Sequence, residues 1–600
     1  LRWLRPAVGL LALAWVLVAA RAVQRFELLE SWRFTGQLLC LIGIVLALLG
    51  APEARVRLRQ RALALLLLAG VAVSVLGSGD NLEALGSRKQ IQVWGAYHYY
   101  LGAKYFDELG YDGLYNETLR AGRELGIPRL DAVKRVRDLR TYQTVDAAPI
   151  RAADRGPEWT DARWAEFKAD LRWFTRGAGK SFWPNVLLDR GYNASPTWHA
   201  IGHALTSELS IRSPAGRLIL VLLDPALLLL AFALSVPAFG VARSAFVLFA
   251  AVSWFGNSGR ILGQFWIYDW LAASWAAASL WRLGRPRWAG ALAGYAAAVR
   301  IFPVLLLAGP VLLAGSALLR RRRPDPAVVR VLQGACAAML LAFVAGSLAS
   351  HRGPAMWLDF TERITHHSEE HTYGAKRVGL GHALSLNLRG GLAELPSKEN
   401  NRAHVAENRP LQRALQLAAG LLFVLAVLRA RSADVLLLGL PLLYFGTVAS
   451  RYDGSIWVLL LLLGVARGGG RPDAPARADD ARTSEPAPAG DARWFERPLA
   501  RRLADAALFA CGWLVFANPK ECEEGIRAYV LGNVALGAWL FGILAREALW
   551  GWGDEPARRS PEPGPPLRAP GIGRLGTSAP QEQPHARDDR QPHVDELPRE

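Results

Sequence analysis

Blocks of uninterrupted apolar sequence, many of them flanked by arginines, constrain this chain more than any other feature. LALAWVLVAA (11–20), LALLLLAGVAVSVLG (63–77) and LILVLLDPALLLLAFALSV (218–236) approach the ~20 residues that carry a helix across a bilayer. Inside lipid every backbone N–H and C=O must find its partner within the segment, so such runs are read as helices. No series of short alternating strands points to a barrel. The expected fold is therefore all-α: a polytopic transmembrane bundle of about fourteen spans.

Arginine placement orients the bundle. The chain has 600 residues and a formal charge of +18, a balance that can signal nucleic acid. Here the arginines sit in loops beside apolar runs, which is the positive-inside pattern, and no nucleic-acid partner is expected. APEARVRLRQR (51–61), with Arg55, Arg57, Arg59 and Arg61, RLGRPR (282–287) and RRRR (320–323) are read as cytoplasmic. Such clusters also suit anionic lipid headgroups, so membrane lipids are expected partners. Both termini fall inside by this count, in a bacterial inner membrane. The loop 21–33 departs from the rule, because it would lie outside with three arginines.

Six regions follow. N-terminal spans occupy 1–77, where the first run lacks a small-residue cleavage site and reads as a span. A large, partly helical outer loop covers 78–212. Central spans with a second outer loop at 351–410 fill 213–466. A Gly/Pro/Ala-rich cytoplasmic linker, 467–501, reads as disordered, as does the Pro-rich tail 546–600. Between them, 502–545 forms a pair of helices. Near Arg300 and Pro303 the pattern predicts two short helices, since proline cannot continue the hydrogen-bond ladder. Interrupted helices are tolerated only where they line protein or a water-filled cavity. Of the four cysteines, Cys40 and Cys336 read as packing residues within apolar runs, and Cys511 and Cys522 flank a turn. No zinc pattern is present.

The outer loop opens on WGAYHYYLGAKYFDELGYDGLY (94–115), where Tyr97, Tyr99, Tyr100, Tyr105, Tyr111 and Tyr115 cluster beside a predicted span. One reading is an interfacial belt, rings in the apolar layer and hydroxyls in water. The other is the rim of an active site. Further along, Trp164, Phe167, Leu171 and Phe174 recur at i, i+3, i+7 and i+10, which predicts one apolar helix face resting on the membrane or on the loop itself.

Three signals carry chemistry. Asp224, Asp269 and Arg300 lie within apolar surroundings, where ionisable groups are costly and face a cavity or a partner. A guanidinium at position 300 suits bidentate binding of phosphate; a snorkelling side chain or a structural pair with Asp269 is the competing reading. His366, His367 and His371 with Glu369 and Glu370 have the composition of a divalent-metal site, although no zincin spacing accompanies them. A divalent cation stays open as a cofactor on this ground. Lys376 and Arg377 follow and are suited to a phosphate. Acids on the first outer loop, among them Asp80, Asp107, Glu108, Asp112 and Asp189, offer a proton acceptor. No Walker A, Rossmann fingerprint or serine elbow is present, so no nucleotide cofactor is expected.

Together these residues resemble a known family. A polytopic chain with an aromatic-rich first outer loop and short basic-bearing central helices is similar to the GT-C superfamily of membrane glycosyltransferases. YHYYLGAKYFDELGYDGLY (97–115) and GQFWIYDWLAASWAAASLWRLGRPRWAGALAGYAAAVRIFP (263–303) resemble its family-87, polyprenyl-phosphate-mannose-dependent branch. The resemblance spans roughly residues 60–460. It implies transfer of a sugar from a polyprenyl-phosphate-linked donor to a glycan, lipid or protein acceptor on the periplasmic face. Asp80, His98 and Asp107 become the candidate catalytic groups, and Tyr100, Lys104, Gln264, Arg300 and Arg377 the candidate substrate-binding ones, with no metal ligand assigned. The superfamily's acidic residue before the aromatic run is missing, since Trp94, Gly95 and Ala96 stand there. A transporter or flippase for a lipid-linked or anionic substrate, or an inactive transferase derivative, is the alternative.

Overall fold

The computed structural model describes residues 64–65, 67–69, 71, 87–88, 91–176, 179, 181–254, 261, 263, 265–371, 377–384, 398–430, 434–446, 449–450, 452–463 and 523–550. The spans expected before residue 62, the linker 467–501, the first helix of the pair expected in 502–545 and the tail beyond residue 550 lie outside these residues, as do Cys40, Cys511 and Cys522. Residues 546–550, expected to be disordered, continue a helix.

The chain enters through α1 (Val93–Lys104), whose first turn is capped by the Gln92 side chain accepting the Gly95 N–H at 2.8 Å. Next come α2 (Leu114–Glu124) and a two-stranded antiparallel ribbon, β1 (Arg135–Arg137) with β2 (Thr144–Asp146), in which Val136 faces Val145. Helix α3 (Asp161–Thr175) begins at Thr160, whose side chain accepts the Arg163 N–H, a standard N-cap. A short α4 (Phe182–Val186) and α5 (Pro196–Glu208) complete this first polar segment; Ser195 caps α5 and Pro196 occupies its first turn.

The aromatic run is a core and not a belt. Tyr97, Tyr100, Tyr105 and Tyr115 are fully buried and Tyr111 nearly so. Their rings meet Trp159, Phe167, Phe174 and Trp183 edge-on or tilted. The belt reading fails because the hydroxyls find protein partners: Tyr97 with Thr118 at 2.7 Å, Tyr105 with Asp170 at 2.8 Å, Tyr111 with the Ala194 carbonyl at 3.0 Å. A buried phenol hydroxyl needs such a partner, and the fold supplies each one. The predicted face of α3 is buried whole, against these same rings.

Among the described residues four helices are long and apolar enough to cross a membrane: 214–239, 302–319, 326–348 and 409–429. The first is α6 (Pro214–Phe239), capped by Ser213 and ended by Gly240 at φ 85°. α7 (Val241–Ser253), α8 (Asp269–Arg282) and α9 (Pro286–Val299) are shorter. As predicted, the chain breaks at Arg300, which is extended (φ −132°, ψ 126°), and resumes as a 3-10 turn over Phe302–Leu307 and then α10 (Ala308–Leu319). α11 (Pro326–Leu348) packs on α9 through small residues. A Cβ at Gly290 would stand 1.9 Å from the Val331 carbonyl oxygen, so the two backbones meet as only glycine allows. Cys336 departs from its expected packing role: among the described residues it is exposed on α11.

The second polar stretch holds α12 (Ala355–His371), a two-residue strand β3 (Arg377–Val378) and a short α13 (Leu380–Ala383). After α14 (Arg409–Arg429), the expected span 435–448 is two short helices, Val435–Leu438 and Leu442–Gly446. β4 (Ala449–Ser450) pairs antiparallel with β3, a 3-10 helix runs over Asp453–Leu462, and α15 (Glu523–Trp550) closes the fold.

Candidate functional site

Arg300 owes its position to the break between α9 and the Pro303 turn. Among the described residues no ion pair joins it to Asp269; the Asp269 Oδ2 instead accepts the Tyr295 hydroxyl at 2.6 Å, and its Oδ1 is buried without a hydrogen bond. The Arg300 guanidinium lies 5.6 Å over the Tyr452 ring. Asp453, next in sequence, spends one oxygen on the Ser450 N–H at 3.1 Å and keeps Oδ1 buried and unbonded.

Ser450 links this corner to β3. Arg377 pairs with Ser450 in the ladder and donates Nη1 to its Oγ at 2.5 Å. Arg363 on α12 reaches back into the first segment: Nη2 donates to the Arg190 carbonyl at 2.7 Å, Nη1 meets Asp112 at 3.3 Å, and the guanidinium lies 4.7 Å over Tyr142.

His367 reports the sum of these charges. Its Nδ1 lies 3.4 Å from the Tyr142 hydroxyl and 3.5 Å from Asn193 Nδ2. Burial, and then the charges of Arg377, Arg190, Arg363 and Arg300, push the imidazole down to about 3. Four guanidinium groups from four places in the sequence thus act on one neutral ring. Burial and the Arg137 charge also hold Arg190 below the ordinary arginine value. A field this positive in a half-buried place favours an anion.

Two carboxylates border the cluster from the first segment: Asp112, already paired with Arg363, and Asp189. Asp189, adjacent to Arg190, accepts the Trp94 indole N–H at 2.5 Å and is only half-buried. Its charge acts on His98, Tyr99 and Tyr115. The Tyr99 hydroxyl donates to Asn193 at 2.7 Å and also feels Arg300 and Asp453, so Tyr99 and Asn193 bridge the two sides.

The predicted residues separate into three groups. Arg300 and Arg377 come together at this cluster. His98 lies beside it, in a hydrogen-bonded row: its Nε2 is 2.8 Å from the Tyr115 hydroxyl, which accepts the Gly191 N–H at 3.0 Å. Burial lowers its pKa, although Asp189 opposes the shift. Lys104, Tyr100 and Asp107 sit elsewhere. Lys104 is buried against Asp170 at 2.8 Å and Glu166 at 2.7 Å. The Tyr100 hydroxyl contacts the Leu209 carbonyl at 3.3 Å and accepts the Ile211 N–H at 3.1 Å. Asp107 clasps the start of the second polar stretch, with Ser350 Oγ at 2.8 Å and His351 Nδ1 at 2.9 Å. Burial works to raise its pKa, yet those bonds hold it below the usual carboxylate value. Asp80 and Gln264 lie outside the described residues, as does Lys376.

For the histidine cluster, His366 stacks on Tyr142 at 4.7 Å and His367 faces the arginines. No group of three or more metal-ligating side chains is present among the described residues. Sequence reasoning did not single out Arg190, Arg363 or Asn193 for the site. Nothing in their local sequence marks them, because each is brought there by the packing of the first polar segment on α12.

Comparison with known proteins places part of this architecture. Residues 204–451 match the family model described as Glycosyltransferase family 87, and the resemblance read from the sequence stands on that match. The matched region contains Arg300, Arg363, His367 and Arg377, whereas Asp189, Arg190 and the aromatic run precede it. No curated protein and no solved structure matches the chain.

Proposed function

We propose that this membrane glycosyltransferase binds the phosphate of a polyprenyl-phosphate-linked sugar at the cluster formed by Arg300, Arg377, Arg190 and Arg363, and transfers the sugar to an acceptor hydroxyl deprotonated by Asp189. The observation that carries the reading is the convergence of four guanidinium groups on the neutral His367, with a half-buried carboxylate at the border. Lipid-linked donors belong to the family's chemistry, and a phosphate is the anion such a field accepts.

In the proposed step the acceptor oxygen attacks the anomeric carbon. The bond from that carbon to the phosphate oxygen breaks, and its electron pair leaves with the phosphate. Charge grows on the departing oxygen, where preorganised cations stabilise it most. Arg300 is held at a helix break and Arg377 by a strand pair and Ser450, so neither needs to reorganise. The acceptor proton passes to Asp189. The Trp94 N–H fixes one oxygen of that carboxylate and leaves the other for the substrate. His98 is less suited, since its Nε2 already faces the Tyr115 hydroxyl. Asp107 is committed to Ser350 and His351, away from the arginines. The acceptor side faces the periplasm if the arginine-rich loops 282–287 and 320–323 lie in the cytoplasm.

The test is transfer of radiolabelled sugar from polyprenyl-phosphate donors in membranes holding wild-type chain, Arg300→Ala, Asp189→Asn or Asp107→Asn. The reading expects loss in the first two variants and retention in the third. Activity retained in Asp189→Asn would remove the proton-acceptor role. Wild-type protein that binds the donor and moves it across a vesicle without transfer would favour the transporter alternative.

A further inference from the structure

Strand β3 has only two residues, so the ladder and Ser450 give Arg377 a short hold that a further contact can extend. Immediately after it Gly379 is close to extended, at φ 152° and ψ 168°, on the positive-φ side that favours glycine. A segment this short gains from a further hold. Asn533, on α15, provides it. Its Oδ1 accepts the Gly379 N–H at 3.1 Å, and its Nδ2 donates to the Arg377 carbonyl at 3.1 Å. One side-chain amide therefore pins both ends of the three-residue run Arg377–Gly379.

The amide is fully buried on an otherwise apolar stretch of helix. A buried amide is costly unless its donor and acceptor are both used, and here both are used on the backbone that carries Arg377. α15 is itself seated for the task. The Tyr444 hydroxyl donates to the Asn533 carbonyl at 2.5 Å, and a Cβ at Gly537 would come within 2.6 Å of that same hydroxyl oxygen, so the helix approaches Tyr444 as closely as glycine permits. This helix lies outside the region matched by the family model.

We infer that Asn533 is a positioning residue: α15 acts as a clamp that sets the pose of Arg377 toward the phosphate of the lipid-linked donor. The inference rests on the assignment of Arg377 to phosphate binding made above. The clamp works through backbone geometry, and Asn533 itself touches no substrate.

The test measures binding of polyprenyl monophosphate without a sugar to the full-length protein in nanodiscs, for wild type, Arg377→Ala, Asn533→Ala, the double variant and Asn533→Asp. Arg377→Ala and Asn533→Ala are each expected to weaken binding by roughly 10- to 100-fold, the range of a hydrogen bond to a charged group. The double variant is expected to bind no more weakly than Arg377→Ala alone, because residues acting through one another are not additive. Asn533→Asp keeps the acceptor for Gly379 but loses the donor to Arg377, so it should fall between wild type and Asn533→Ala. It also carries the test if the alanine variant does not fold. In transfer assays the loss should appear in kcat as well as in KM for the donor, and in the same proportion for Asn533→Ala as for Arg377→Ala. Wild-type affinity in both Asn533 variants, or losses that multiply in the double variant, would overturn the clamp. Wild-type affinity in Arg377→Ala would instead overturn the phosphate assignment, and the clamp with it.

Discussion

Two charged assemblies in this molecule are built from the same residue types and reach opposite outcomes. Within the first polar segment, Lys104 is buried between Asp170 and Glu166, and Arg212 approaches Asp170 at 2.9 Å. Each charge there meets an opposite one. Around His367, four arginines act on a ring that is already neutral, and Asp189 is tied to Trp94. The first assembly is closed and holds helices together. The second gathers four arginines, of which Arg363 meets Asp112 at 3.3 Å, and on the reading proposed above it takes an anion from outside. On that reading the contrast separates charge that stabilises a fold from charge that serves a ligand.

The largest expected effect lies on the catalytic side. Asp189→Asn should lower kcat by roughly 10²- to 10⁴-fold, the usual contribution of a positioned acid–base group, with little change in donor KM. Steady-state transfer kinetics check this, and an unchanged kcat would place the base elsewhere. Asp170→Ala should act oppositely in kind. It leaves the buried Lys104 with less compensation and should cost about 3–5 kcal/mol of stability, read as a lowered unfolding midpoint in detergent. If Asp170→Ala instead spared stability and abolished donor binding, the two assemblies would have to exchange roles.

Arg300→Ala comes next. Loss of a charge-assisted contact to phosphate should weaken donor binding by roughly 10- to 100-fold while the unfolding midpoint stays near wild type. A large fall in stability would mean that Arg300 belongs to the closed kind of assembly.

The effect smallest per pH unit is a pH dependence that distinguishes the two regions. His367 in the cluster and His199 in the first segment are both pushed down to about 3, each chiefly by burial, with His203 next for His199 and the arginines next for His367. Below the ordinary imidazole value of about 6.5 the unfolded chain takes up protons that the folded chain does not. Stability should therefore fall as pH drops from about 6.5 toward 3, by up to about 1.4 kcal/mol per pH unit for each group. His367→Gln and His199→Gln should each remove part of that slope. Bound polyprenyl phosphate should flatten the His367 contribution alone, since its charge offsets the arginines. Unfolding midpoints across this pH range, with and without the lipid, give the result. Equal flattening of both contributions would deny the cluster its anion.

Much of the fold was legible in the sequence for local reasons. The long apolar run at 218–236, the break at Pro303 and the apolar face of α3 each follow from hydropathy, from a missing N–H or from helical spacing. The aromatic run was visible as an oddity, but its burial was not. A tyrosine has the same local signature at a lipid interface and in a hydrated unit's core. What decides is whether Thr118, Asp170 and Ala194 come within reach of the hydroxyls. Of the site, Arg300 and Arg377 could be read from their settings, one beside a proline in an apolar stretch and the other after a histidine-rich helix. Asp189 appeared only as one acid among many.

By itself, then, the sequence determined that the chain is mostly helical, that runs such as 218–236 are apolar enough to span a membrane, and which basic residues stand out from their surroundings. These are properties of near neighbours along the chain. Only the tertiary structure decided that Lys104 is neutralised by Asp170, that Trp94 holds Asp189, and that Asn533 grips the strand carrying Arg377. Those pairings join residues 66, 95 and 156 positions apart. Electrostatic and hydrogen-bond energies depend on distance in space and on burial, and neither quantity is carried by the order of residues along the chain.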